Sequence, residues 1–425
     1  MPIGRWIEYT RNSMQRLGFL KATCALAPRT RGITLEGLAN RLRGLVSRRI
    51  RIDLDCEPEV RRYIVDRRLF TSRYKDFPPT ETLARQDSSG HTIDIEIQDY
   101  YLAQAGIPSQ TGNLTPDVYE DIPRWAVNLG LLRDLNYSLP ARGQLLLLLA
   151  HNAASPWTEL DFGHNPFALS LPEKALFLYL LLEQDGDVLL RLYPRLVELE
   201  EPFHRSIAGD ILPMVFREIH AVYQLCARTA ADVTQVRSLL TMADFIQERK
   251  GKPSDGTGRT REQRITMRLE AFVDLGFLAK PDTTKYEYVF TPAGRSLLSG
   301  VPALEAVGLF LQGSFLALLA KSLAIPARQS ADPVEIVSSL FEGYEALRSA
   351  TGYAPIEEVL LYTSSKALAS DAPWFFELSA GMQAVKEVQM RYPQGLRFNV
   401  DRQGNLRYLK LERSLLDALQ SSPRL

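Results

Sequence analysis

The sequence has little cysteine and histidine, and their scarcity restricts the chemistry open to it. Its 425 residues include three cysteines, Cys24, Cys56 and Cys226, which lie far apart and form no CxxC pair. This spacing supports neither a zinc cluster nor a disulfide framework, and it favours a reducing compartment. The five histidines show no HxxxH or HExxH spacing, so a metal site carried on a helix has no support. We therefore expect no metal and no other cofactor.

Long apolar runs are missing as well. The most apolar stretches, Leu145–Ala150 and Ala175–Leu182, are much shorter than the roughly 20 residues that cross a bilayer. The segment Met1–Leu20 contains three arginines and lacks the uninterrupted apolar region of a signal peptide. We expect a cytoplasmic protein without contact to a membrane.

The composition is that of a folded globular protein, with 45% hydrophobic and 24% charged residues. A chain of 425 residues exceeds what one core usually supports, so several domains are expected. Its patterns predict a mainly α fold with short β-hairpins (α+β). Between Pro172 and Ala231 we predict a set of helices, with breaks at Asp185–Asp187, Pro194, Pro202 and Pro213. The predicted units are a basic N-terminal region with helices and a short strand (1–112), a helix-and-hairpin module with a helical block (113–232), a second module with apolar helices (233–328) and a C-terminal helix and hairpin domain (334–425).

Charge is distributed unevenly along the chain. Lysine plus arginine equals aspartate plus glutamate, 50 of each, yet residues 1–75 contain 17 basic and 7 acidic residues. A basic segment of this kind suggests a local face for an anionic partner, whereas the zero net charge argues against a protein that coats nucleic acid indiscriminately.

Two segments share one pattern, which we interpret as a weak internal repeat. The first runs from Trp125 to Gly143 and the second from Ala271 to Gly294. In each, a helix ends in Leu-Gly, a polar turn leads to a tyrosine, and a glycine precedes an apolar helix. Gly130 and Gly276 suit the left-handed conformation that ends a helix, and a hairpin is predicted after each of them.

The second copy, Val-Asp-Leu-Gly-Phe-Leu followed by Phe-Thr-Pro-Ala-Gly, resembles the close of a winged helix-turn-helix. The resemblance implies several winged-helix-like modules joined by helical segments. It also implies that the helix before the hairpin, here Arg261–Leu275, enters the major groove of double-stranded DNA while the wing touches the backbone.

Arginines recur at three- and four-residue spacing on that helix, away from its apolar stripe. An arginine fork suits phosphates and guanine edges, so these residues are the first candidate contacts, and two lysines extend the face along the wing. Plain solvation of an arginine-rich face is the alternative, with Glu262 available to pair. The candidates are Arg261, Arg264, Arg268, Lys280 and Lys285.

Two further regions could contact nucleic acid. The basic N-terminal helices carry Arg41, Arg43, Arg48 and Arg49 as the second set of candidates. At the C-terminus, helices over Pro355–Ala369 and Ser379–Arg391 and a hairpin of Leu396–Val400 with Leu406–Leu411 form a third unit. Its hairpin bears Arg397, Arg402, Arg407 and Lys410, which suit phosphate contacts or simple solvation. The first copy has acidic residues before its helix, so we expect it to serve packing or protein contact.

No complete catalytic motif can be read in the sequence. Metal-dependent nucleases place an Asp and a Glu-x-Lys on adjoining strands to hold magnesium, and Asp94 and Glu96 are candidates, but Gln98 stands where the lysine is expected. The alternation of these carboxylates with isoleucines is also what a half-buried strand needs. The chain has no phosphate-binding GxxxxGK[ST] loop and no G-x-S-x-G elbow.

We therefore predict a non-catalytic DNA-binding or scaffolding subunit of a multisubunit bacterial complex with other protein subunits. Anti-phage defence and chromosome handling are suggested by analogy alone. The alternatives are a protein-protein adaptor that does not bind DNA and a divergent metal-dependent nuclease.

Overall fold

A computed structural model describes residues 4, 6–7, 17–29, 31–42, 117–151, 169–248, 260–281, 286–300 and 307–421, with the backbone alone for 117–121, 151, 248, 260–263 and 420. These residues are mainly helical, with a few short strands, as predicted. The helices are α1 (Leu17–Leu26), α2 (35–42), α3 (Asp117–Asn128), α4 (Ala141–His151), α5 (Leu171–Val197), α6 (Arg205–Tyr223), α7 (Ala230–Glu248), α8 (Thr260–Leu275), α9 (Pro292–Gly300), α10 (Val307–Gly313), α11 (Phe315–Ser322), α12 (Pro333–Leu347), α13 (Ile356–Leu368), α14 (Leu378–Arg391) and α15 (Arg413–Ser421). The strands are β1 (Phe203–His204), β2 (Leu278–Ala279), β3 (Glu287–Phe290), β4 (Arg328–Gln329), β5 (Ala354–Pro355), β6 (Trp374–Phe375), β7 (Leu396–Val400) and β8 (Leu406–Leu411).

Helix α5 lies at the centre of the described chain. It packs against α4, α6, α8, α10 and α13, and all side chains from Ala175 to Leu182 are buried. Burial on every face explains why this run is apolar without an amphipathic period. None of the helices in the described ranges is both long enough and apolar enough to cross a membrane.

The helical breaks predicted inside this block are only partly correct. The break at Pro202 is confirmed, because α5 ends at Val197 and α6 begins at Arg205. The break at Asp185–Asp187 is wrong, since α5 continues through both carboxylates, which are buried and paired with arginines. Breaks at Pro194 and Pro213 are also wrong, and both prolines lie inside helices.

The predicted glycine ends of α3 and α8 are confirmed. Gly130 and Gly276 have φ angles of 69° and 86°, a region that side chains disfavour. The N–H groups of Leu131 and Phe277 bond back to the carbonyls of Ala126 and Phe272, at 2.8 and 2.9 Å. This is the pattern of a Schellman cap.

A second pair of glycines occupies equivalent places in the two copies. A β-carbon on Gly143 would overlap the carbonyl oxygen of Leu131, and one on Gly294 would overlap that of Phe277. In each copy, the helix that contains the second glycine therefore packs directly against the backbone of the residue that follows the glycine cap. The internal repeat seen in the sequence is thus a repeat of backbone packing.

The predicted hairpin exists in the second copy but not in the first. Strands β2 and β3 pair in antiparallel fashion, β3 ends at Phe290, and α9 begins at Pro292. Residues 131–140, all of which the structure describes, contain no strand, so the hairpin predicted there is wrong. The reason lies in the backbone partners: the carbonyl of Asn136 accepts from Ile33 at 2.9 Å, and the N–H of Leu139 donates to Pro28 at 3.1 Å.

The C-terminal unit contains the helices and the hairpin predicted for it. Strands β7 and β8 are antiparallel, with Arg397 opposite Lys410 and Asn399 opposite Tyr408. Strand β5 joins them on the other edge of β8, which gives the order β5-β8-β7. The central sheet has the equivalent order β1-β3-β2. In both sheets, the strand that precedes the helices pairs with the second strand of the hairpin.

The close approach at Gly294 leads to a prediction. Gly294→Ala is expected to lower the free energy of unfolding by about 1–3 kcal/mol, because a methyl group must displace the Phe277 backbone. Gly313→Ala is the matched control, since its β-carbon would meet nothing nearer than Ser379 Oγ at 3.9 Å. Urea denaturation of both variants measures the difference. Equal stability of the two variants would contradict the proposed packing.

Candidate nucleic-acid interface

Helix α8 does not present the free face that the sequence suggested. Every residue from Ile265 to Phe272 is buried, including the polar Thr266, Arg268 and Glu270. The helix packs against α5, α6 and β2. A helix buried on all sides over these two turns cannot enter the major groove with this segment. Over Ile265–Phe272, the predicted recognition face of α8 is therefore wrong.

Arg268 is 2% exposed and forms a buried ion pair with Asp185 of α5. Its Nε donates to Asp185 Oδ2 at 2.5 Å, and its Nη2 donates to Oδ1 at 2.9 Å. The same pair holds the backbone of Ile7, whose N–H donates to Asp185 and whose carbonyl accepts from Arg268. Burial raises the pKa of Asp185, while Arg268 acts in the opposite direction. The prediction that Arg268 contacts DNA is wrong.

Lys280 is also engaged inside the protein, with a side chain that is 6% exposed. Its ammonium donates to Glu270 at 3.0 Å and lies 5.0 Å from the centre of the Tyr286 ring. The Tyr288 hydroxyl donates to the same carboxylate, and burial together with Glu270 raises the pKa of Tyr288 well above its ordinary value. Lys280 therefore stabilises the hairpin from within, and its predicted phosphate contact is wrong.

The other candidate residues have different outcomes. Arg264 is half-buried, with its guanidinium 5.5 Å from the centre of the Phe245 ring. Arg41 is exposed and donates to the carbonyl of Leu26 at 3.1 Å. The remaining predicted side chains lie outside the described part of the chain, as do the nuclease candidates: Arg43, Arg48, Arg49, Asp94, Glu96, Arg261 and Lys285.

Helix α14 has the free face that α8 lacks. Its exposed residues Ser379, Gln383, Lys386 and Met390 recur at four-, three- and four-residue intervals, which places them on one side of the helix. The opposite side is buried by Leu378, Gly381, Ala384, Val385 and Val388. Gln383 Nε2 donates to Glu387 at 2.9 Å, so part of the exposed side is an ordered polar surface.

The hairpin that follows α14 is basic. From Leu378 to Ser421 the sequence contains seven lysines and arginines against four aspartates and glutamates. Arg397 and Arg402 are exposed, while Arg407 pairs with Asp401 and Lys410 with Glu412, each at 2.9 Å. An exposed helix face and a basic hairpin therefore adjoin in the C-terminal unit. The sequence predicted both the helix and the hairpin, but not that this side of the helix is exposed.

Asp401 organises the tip of this hairpin. Its carboxylate accepts from the backbone N–H groups of Gln403 and Asn405, each at 2.9 Å, and from the Arg407 guanidinium. These bonds, with that from the Asn405 side chain the largest influence, lower the pKa of Asp401 to about 2. Gly404 takes a φ of 81° in the same turn, a conformation that glycine adopts without steric penalty.

Among the described residues, no group of three or more His, Cys, Asp and Glu side chains is arranged to hold a metal ion. No protein-family model matches the chain, and no match was found among curated proteins or solved structures.

The buried ion pair gives a stability prediction. Arg268→Met leaves the Asp185 carboxyl without its partner in the core, so it should lower the free energy of unfolding by about 3–5 kcal/mol. Adding Asp185→Asn removes the charge and keeps an acceptor for Ile7, so the double variant should recover part of that loss. The control is Arg217→Met, which breaks the exposed pair with Asp244 and should cost about 1 kcal/mol or less. Urea denaturation provides all three values, and a double variant no more stable than Arg268→Met would rule out charge pairing as the cause.

The turn at Asp401 gives a second prediction. Asp401→Ala should speed hydrogen exchange at the amides of Gln403 and Asn405, with little change in the melting temperature. The depressed pKa means that the carboxylate stabilises the turn above its ordinary pKa and loses this effect as the pH falls through about 2. Asp417→Ala on α15 is the matched control and should leave these amides unchanged. The Asp401 interpretation would be wrong if both variants exchanged alike.

Proposed function

We propose that the chain is a non-catalytic DNA-binding or scaffolding subunit and that α14 and the β7–β8 hairpin contact double-stranded DNA. The proposal rests on one observation: the exposed side of α14, with Ser379, Gln383 and Lys386, lies beside a basic hairpin. The order of helix, strand, two helices and hairpin in this unit resembles a winged helix-turn-helix. In that family, the helix before the hairpin enters the major groove.

The side chains on this face have suitable chemistry. Gln383 can donate to and accept from the edge of adenine, and Lys386 can pair with a phosphate. Arg402, exposed at the hairpin tip, can reach the flanking backbone as a second phosphate contact. The central unit has the same sheet order but a buried helix, which supports a packing role for it.

A protein-protein adaptor is the second candidate, and the surface of α6 favours it. Ile207, Met214 and Val222 are exposed on this helix, and Leu225 follows them at 86% exposure. Apolar side chains that recur along one helix are common at protein contacts. This surface is compatible with the assembly of other subunits around a DNA-binding C-terminal unit.

Fluorescence anisotropy of a labelled duplex over a series of salt concentrations tests the DNA proposal. Removal of one cation that pairs with a phosphate should reduce the slope of log K against log salt by about 0.9. The double variant Lys386→Gln/Arg402→Gln should therefore weaken binding and flatten the slope by about 1.8. Arg237→Gln, on an exposed position of α7, removes a positive charge elsewhere and should leave the slope unchanged.

The outcomes separate the two candidates. Absence of duplex binding at low salt would reject the DNA proposal for this chain and favour the adaptor. Binding that responds equally to the double variant and to Arg237→Gln would show that the duplex does not bind at α14.

A further inference from the structure

We infer that the solvent face of the β5–β8–β7 sheet binds one unpaired base of a single-stranded nucleic acid. Tyr408 would stack on the base, and Arg397 would take the neighbouring phosphate. This site shares the β7–β8 hairpin with the proposed duplex contact, but none of the residues of the α14 face belongs to it.

The sheet register places an aromatic ring at the centre of this face. Tyr408 lies opposite Pro355 of β5 on one side and Asn399 of β7 on the other. Alternation along β8 turns Tyr408 away from the core, into which Leu409 and Leu411 point. The Tyr408 side chain is 48% exposed, although a phenol ring would normally gain from burial.

Two positively charged residues lie beside Tyr408 on the same face of the sheet. Arg397 and Lys410 are directly opposite each other, two residues along the strands from the Asn399–Tyr408 pair and on the same face. Two residues of strand span about 7 Å. When a base stacks on the Tyr408 ring, the phosphate of the same nucleotide or of the next one therefore lies within reach of the Arg397 guanidinium.

Together, the Asn399–Tyr408 pair and the Arg397–Lys410 pair have the chemistry needed to bind a nucleotide. Every base has a π face that can stack on tyrosine whatever its identity, and arginine can donate two parallel hydrogen bonds to a phosphate. Asn399 carries a donor and an acceptor beside the ring and can bond a base edge. The carboxylate of Glu412 repels a phosphate and also pairs with Lys410 at 2.9 Å, which neutralises much of the lysine charge. Arg397 is therefore expected to make most of the phosphate contact.

The test uses the full chain and a fluorescein-labelled oligothymidylate of about 12 nucleotides, within the site sizes of single-strand binders. Tyr408→Ala should weaken binding about tenfold, as expected when one base-aromatic stack is removed. Tyr408→Phe keeps the ring and should stay within about twofold of the unchanged protein. Arg397→Gln should also weaken binding, whereas Glu412→Gln should strengthen it by removing the opposing charge. Equal losses for Tyr408→Ala and Tyr408→Phe, or no effect of either, would overturn the stacking assignment.

A photocrosslink supplies a second readout that does not depend on affinity. Thymines replaced by 5-iodouracil should crosslink to Tyr408 in the unchanged protein, as identified by mass spectrometry of the peptides. Crosslinks confined to other residues would overturn the proposal, as would failure of the protein to bind oligothymidylate. Lys386→Gln should weaken duplex binding but not oligothymidylate binding, so failure of the duplex proposal is distinguishable from failure of this one.

Discussion

The buried ion pair between Arg268 and Asp185 fixes the positions of α5, α8 and the N-terminal segment relative to one another. Two charges without water are tolerated only when each finds its partner with good geometry, so α5 and α8 are fixed in one register. The pair also bonds both backbone groups of Ile7 and so anchors the N-terminal segment at the same point. Because its partner lies on α5, the guanidinium is unavailable to any outside anion. The side of α8 that carries Arg268 therefore faces the core.

Local backbone features were the most predictable from sequence. The glycine caps at Gly130 and Gly276, the start of α9 at Pro292 and the hairpin turn around Gly404 all depend on conformational preferences that a residue carries with it. The C-terminal hairpin was predictable for the same reason, since its alternation and its turn lie within a few residues of each other. The missing hairpin of the first copy depends instead on Pro28 and Ile33, which are more than 100 residues away along the chain.

The site was harder to predict because periodicity identifies a buried stripe but not whether the other side is covered. The arginines of α8 looked like a solvent face, yet the partner of Arg268 is 83 residues earlier in the sequence. Helix α14 carries a single lysine and a glutamine on its exposed side, so its charge does not mark it as a candidate. Charge density therefore indicated a helix whose residues Ile265–Phe272 are buried, whereas the exposed side of α14 depends on the packing of distant elements.

The two sheets of similar order are used in different ways. In the central unit, α5 and α6 cover the helix that precedes the hairpin, and Lys280 is drawn into the interior by Glu270. In the C-terminal unit, the equivalent helix keeps one free side and the hairpin keeps its exposed arginines. The two parts are joined where Arg142 of α4 pairs with Glu183 of α5 and with the carboxylates of α13. Because the Arg142 side chain is mostly buried, this cluster ties α13 of the C-terminal unit to α5, the same helix to which Asp185 fixes α8.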